Sequence, residues 1–164
     1  MRVLLKRLGL TLATLFVAIQ FFRPQRSNPP VDGRRAIQAH LEVTPAAARV
    51  LDRSCRDCHT QETRWPWYSN VAPASWLVAD HVNHARSHMN LSDWAAYSPE
   101  DARHNLERMC RLARQGEMPL PSYLWIHRSA RPSSEDVQAL CDWTQAAVRQ
   151  MVERAVSAST EDVD

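Results

Sequence analysis

Cys55-Arg56-Asp57-Cys58-His59 sets two thiols three positions apart and follows the second at once with an imidazole. The C-x-x-C-H pattern is read as a c-type haem attachment site. Chemistry accounts for the spacing. Cysteines at i and i+3 share a helix face, so both can add to vinyl groups on one porphyrin edge while the adjacent imidazole reaches the iron. Cys55 and Cys58 are therefore candidate tethers of a covalent haem c, and His59 a candidate iron ligand. A zinc site would need two more ligands at usable spacing, yet Cys110 and Cys141 stand alone in the chain. A thioredoxin-like thiol pair would open a helix after a strand, and no strand pattern precedes Cys55.

The flanking sequence predicts helices. Thr44 reads as an N-cap with Pro45 at the first helical position, and Ala46, Ala47, Ala48, Val50 and Leu51 run from there into the motif. Beyond it, Arg64-Trp65-Pro66-Trp67-Tyr68 is a dense aromatic run that Pro66 and Pro73 keep from continuing as helix. Trp65 and Trp67 are candidates to line a porphyrin. Pro73 opens a helix to about Met89 with Val78, Val82, Ala85 and Met89 as its apolar stripe. His81, His84 and His88 border that stripe, as solvated histidines or as alternative ligands.

Ser98-Pro99-Glu100-Asp101 carries the signals of another helix start, and Gly116 ends that helix. Ala102, Leu106, Met109 and Ala113 form its buried face. The last helix is capped by Ser133 or Ser134 and carries Val137, Leu140, Thr144, Val148 and Met151. Cys110 and Cys141 sit beside these two stripes, either as plain core cysteines or, in an oxidising compartment, as a disulfide. With only three glycines and no hairpin dipeptide, the fold class is all-α.

At the N-terminus, Arg2, Lys6 and Arg7 precede an apolar run from Leu8 to Phe22. Counted from Val3, with the cations snorkelling, its length suits a membrane helix. Phe21-Phe22-Arg23-Pro24 lacks the small residues of a cleavage site, which favours an uncleaved signal-anchor over residues 1–22. Residues 23–35, rich in Pro, Ser, Asn and Gly, read as a linker that holds the domain off the membrane. Residues 36–152 make one domain, and the small, acidic end within 153–164 reads as disordered tail. A net charge of +2 with no basic-aromatic run gives no support to nucleic-acid binding.

Cys58-His59-Thr60, Thr63, Trp65-Pro66-Trp67-Tyr68, Ala72-Pro73 and Ser75-Trp76-Leu77, with Asn90-Leu91-Ser92-Asp93-Trp94 and Gly116-Glu117-Met118-Pro119, together resemble the bacterial haem-binding domain family of small membrane-anchored c-type haem proteins. The resemblance covers roughly residues 31–143 and implies haem c binding with no defined reaction. Met118 lies where Gly116 stops a helix and Pro119 biases the chain toward an extended backbone, so a rigid loop can present its sulfur to iron. This also resembles the Met-Pro element of small monohaem cytochromes c. The expectation is a small cytochrome c-like helical domain behind a single-pass anchor in the cytoplasmic membrane. It carries one haem c in the periplasm, with His59 and Met118 as iron ligands. Its expected role is electron transfer with redox partner proteins the sequence does not identify. A haem enzyme or a gas or redox sensor with an open distal site is the alternative, and a zinc or thiol protein the third reading.

Overall fold

The computed structural model describes residues 1–161, and the side chains of residues 1–157. Every regular element among them is helical: α1 (Arg2–Ile19), α2 (Ile37–His40), α3 (Pro45–Val50), α4 (Arg56–His59), α5 (Ala74–His88), α6 (Pro99–Gln115), α7 (Pro121–Leu124) and α8 (Ser134–Glu161). The all-α expectation holds. A π turn, Leu51–Cys55, joins α3 to α4, and short 3-10 turns occupy Trp67–Asn70, Leu91–Ala96 and Arg128–Ala130. The helix ends follow local chemistry. Thr44 Oγ1 accepts from the Ala47 amide at 3.3 Å, and Ser98 Oγ accepts from the Asp101 amide at 3.1 Å. Ser133, rather than Ser134, caps α8 in a reciprocal pair. The Asp136 amide donates to Ser133 Oγ, and the Ser133 amide donates to Asp136 Oδ2. Gly116 stops α6 in the left-handed conformation, at φ 69° and ψ 17°, where a side chain would be strained.

α6 and α8 pack along one another. Leu106 and Met109 of α6, Leu140, Trp143 and Ala147 of α8, and Ile37, Val50, Leu91 and Trp94 form one apolar core. Trp143 Nε1 donates to the Glu42 carbonyl at 3.0 Å, which fastens α8 to the turn before α3. Cys110 and Cys141 form a disulfide between α6 and α8, with 31 positions between them in sequence. α8 also continues through residues 153–161, which the sequence reading placed in a tail without structure. The rest of that tail, residues 162–164, lies outside the described residues.

The N-terminal region departs from expectation. α1 ends at Ile19, so it has 18 residues and a length of about 27 Å, against roughly 30 Å for a bilayer's hydrocarbon core. Arg2, Lys6 and Arg7 take its first two turns, and no helix among the described residues is long and apolar enough to cross a membrane. The helix expected over residues 1–22 is thus present in shorter form, as Arg2–Ile19. α1 buries none of its side chains, and Thr11 and Thr14 donate their hydroxyls back to the Arg7 and Leu10 carbonyls. Its apolar surface is therefore bare on all sides.

The segment after α1 is irregular, yet it does not hold the domain at a distance. Gln20 makes two hydrogen bonds with the backbone of Ala72, at 2.9 and 3.2 Å. Arg26 donates to Ser69 Oγ at 2.8 Å and Asn70 Oδ1 at 2.7 Å. Arg86 of α5 holds the next residues: Nη1 donates to the Ser27 carbonyl at 2.8 Å and Nη2 to Asn28 Oδ1 at 2.9 Å. The same guanidinium reaches the Thr60 carbonyl at 2.8 Å through Nε and Thr63 Oγ1 at 2.9 Å.

Arg86→Met should lower unfolding stability by roughly 2–4 kcal/mol, because four acceptors lose a charged donor at once, and a denaturant titration checks this. Replacing both Cys110 and Cys141 by alanine should cost about 3–4 kcal/mol through the restored freedom of the unfolded loop. A reducing agent should produce the same loss in the unmodified chain and none in the double variant.

Candidate functional site

The π turn determines which way the motif faces. One extra residue in the helical path rotates the succeeding side chains by about 100°, and such bulges are common at functional sites. Leu51 consequently stays in the core, while Cys55, Cys58 and His59 line a cavity of about 530 Å³. That volume falls within the roughly 300–1,000 Å³ usual for sites that take small organic molecules. Val78, Val82 and Ala85 of α5 form another part of the wall. Met109 and Leu112 of α6, the loop from Met118 to Leu120, and Val137 and Leu140 of α8 complete it. The apolar stripe on α5 thus faces the cavity.

His59 is fixed in one tautomer. Its Nδ1 lies 2.9 Å from the Met89 carbonyl, which only accepts, so Nδ1 carries the proton and donates. The Nε2 lone pair is left free, on a ring held in place from behind, as in histidines that ligate metals. Burial pushes the imidazole below its ordinary pKa and keeps it neutral, with the carbonyl at Met89 opposing that shift. Burial also raises both thiols, Cys55 to about 12 and Cys58 to about 11, with the neighbouring Cys58 and Asp57 charges adding to the respective shifts. Both are therefore protonated at neutral pH.

A polar chain that sequence reasoning missed borders the same cavity. Tyr68 Oη and His127 Nε2 lie 2.7 Å apart, the His127 ring stacks on Tyr123 at 4.2 Å, and Tyr123 Oη donates to Asp57 Oδ2 at 3.0 Å. Arg64 Nε approaches Asp57 Oδ1 at 3.3 Å from the other side. Burial, chiefly, holds the phenols of Tyr68 and Tyr123 protonated to higher pH than usual. Tyr123 and His127 stand four positions apart after Pro121, a helix-start signal that marked them as neighbours on one face.

The expected site residues divide. Cys55, Cys58, His59 and Met118 are brought to one cavity, and His81, His84 and His88 reach its wall as well. His84 and His88 hydrogen-bond each other at 3.1 Å. Trp65 and Trp67 do not line the cavity. Pro66 is extended, at φ −72° and ψ 159°, and a 3-10 turn starts at Trp67; Pro66 and Tyr68 line the cavity, whereas Trp67 stands 77% exposed. The zinc reading loses its remaining thiols to the disulfide. Among the described residues no group of three His, Cys, Asp or Glu is placed to hold a metal ion.

A family model described as "Haem-binding domain" matches residues 14–146. Searches of curated proteins and of solved structures give no significant match. The cavity's own chemistry fits such a group: a largely apolar wall, a neutral imidazole with a free Nε2, two thiols one turn apart and a thioether at Met118.

In the haem-free protein, alkylation by iodoacetamide at pH 8 should be slow at both motif thiols. With the ordinary value at 9.0, the thiolate fraction is depressed about 100-fold at Cys58 and about 1,000-fold at Cys55. Reactivity should keep rising about tenfold per pH unit through pH 10, where an ordinary thiol has levelled off, as followed by mass spectrometry of the alkylated peptides.

Proposed function

The chain belongs to the haem-binding domain family, and from that premise we propose that it is a membrane-associated, extracytoplasmic c-type electron carrier. Haem is the cofactor, and bound in this cavity it supplies a one-electron iron couple. Cys55 and Cys58 would tether it, and His59 Nε2 and Met118 would hold its iron. The observation that carries the reading is the convergence of these four side chains on one apolar cavity.

Each residue has a separate task. The Met89 carbonyl holds the His59 ring and its tautomer, so coordination needs no rearrangement of the imidazole. Val78, Val82, Ala85 and Leu112 keep water from the cofactor's faces, which sets a low local dielectric. The soft thioether of Met118 would favour ferrous iron and keep substrates from it. The Cys110–Cys141 disulfide supports an oxidising compartment such as the periplasm. The bare apolar surface of α1 supports its insertion into the cytoplasmic membrane, with the cations of its first two turns at a headgroup level.

A second reading, a haem enzyme or sensor, draws on the Tyr68–His127 pair, whose hydroxyl and imidazole could serve a ligand at an open iron position.

Expressed with a c-type maturation system, the protein should keep its haem through denaturing electrophoresis, and the double substitution Cys55→Ser with Cys58→Ser should lose it. The oxidised form should show the weak red sulfur-to-iron absorption, and the reduced form should resist carbon monoxide. Met118→Ala should abolish that absorption, admit carbon monoxide and lower the reduction potential. Acid-extractable haem would overturn the tether. Ready carbon monoxide binding by the unmodified protein would give the enzyme or sensor reading the lead.

A further inference from the structure

We infer that the rim of the cavity is a lipid-facing surface, on which the domain lies against an anionic phospholipid bilayer beside the end of α1. The inference rests on the membrane association of α1 proposed above and adds an orientation to it. Leu77, Trp125 and Ile126 line the cavity and are at the same time 54%, 76% and 65% exposed, so they form its mouth. Apolar side chains this open to solvent, next to one another around a cavity, mark a contact surface.

The occupant is indicated by the neighbours of the mouth. Gln20, the residue after α1, is hydrogen-bonded to the Ala72 backbone, and Trp76 Nε1 donates to the Phe22 carbonyl at 2.6 Å. Trp76 directly precedes Leu77, so the backbone of the exposed Phe22 is fastened one position from a residue of the mouth. Arg26 continues the attachment to Ser69 and Asn70, and Tyr68, the next residue back, meets His127 beside Ile126. The same series of contacts therefore connects both edges of the mouth to the end of α1. A bilayer that takes the apolar surface of α1 would then lie against the mouth as well.

The composition suits a headgroup layer. Tryptophan, with an apolar ring and a polar N–H, prefers that depth, and Trp76 and Trp125 supply it. Arg23 and Arg128 flank Phe22 and His127 in the chain, with basic side chains for anionic phosphates.

The full haem-loaded chain, bound to vesicles of phosphatidylethanolamine and phosphatidylglycerol containing a diazirine phospholipid, is irradiated and its adducts are mapped by mass spectrometry. Adducts at residues 76–77 and 125–126, as well as within 2–22, are expected. Adducts confined to 2–22 would overturn the orientation and leave the role of α1 standing. A chain that neither floats with vesicles nor takes label would overturn both. The double variant Trp125→Glu with Ile126→Glu, whose side chains are already in solvent, should keep its label in 2–22 and lose it several-fold at 76–77. An unchanged yield there would also overturn the orientation.

Discussion

Arg86 directs its guanidinium at four acceptors, and none of them lies in a helix. The segment after the C-x-x-C-H motif has no ladder or long helix to position it, since Pro66 and Pro73 forbid one. Its course is set instead by side-chain hydrogen bonds from α5, and α5 is also the helix whose end supplies the Met89 carbonyl to His59. Burial lowers the pKa of Arg86, but a guanidinium remains charged at any relevant pH. The clamp therefore does not respond to acid or base. What it needs is the registry of its acceptors, all in irregular chain, which makes the folding of α5 a precondition for the site.

The cavity is also a gap in the core. Val50, Val82, Met109 and Leu140 are buried and line it at once, so they pack on one side against the helices and on the other against the cavity proposed for haem. A domain of this size has little apolar surface to spare. Binding to the folded state alone adds stability by mass action, beside what the α6–α8 pair, their disulfide and the Trp143–Glu42 bond contribute.

Much of this was legible in the sequence because it depends on local chemistry. The caps at Thr44 and Ser98, the stop at Gly116 and the motif's own spacing are settled within a few residues, and all appear where the pattern put them. What failed needed phase or distance. Trp65 and Trp67 alternate with Pro66 and Tyr68, and an irregular segment gives no sign of which pair faces inward. The pairing of Cys110 with Cys141 required knowing that α6 and α8 lie together. The linker reading failed differently: its Pro, Ser and Asn composition correctly denied regular structure, but said nothing of Arg86, more than fifty positions on, which pins it. The acidic end of the chain was misjudged by composition in the same way, since α8 carries its helical hydrogen bonding through to Glu161.

The strap between Gln20 and Asn28 has a mechanical side. Its bonds to Ala72, Trp76, Ser69, Asn70 and Arg86 are spread along the chain, so a pull on α1 meets them in succession, and Arg86 comes last. Tension is shed outward first. Force along the strap would reach Ala72 and the start of α5 before the hydrogen bonding around His59, so the attachments at Gln20 and Trp76 give way before the position of that ring does.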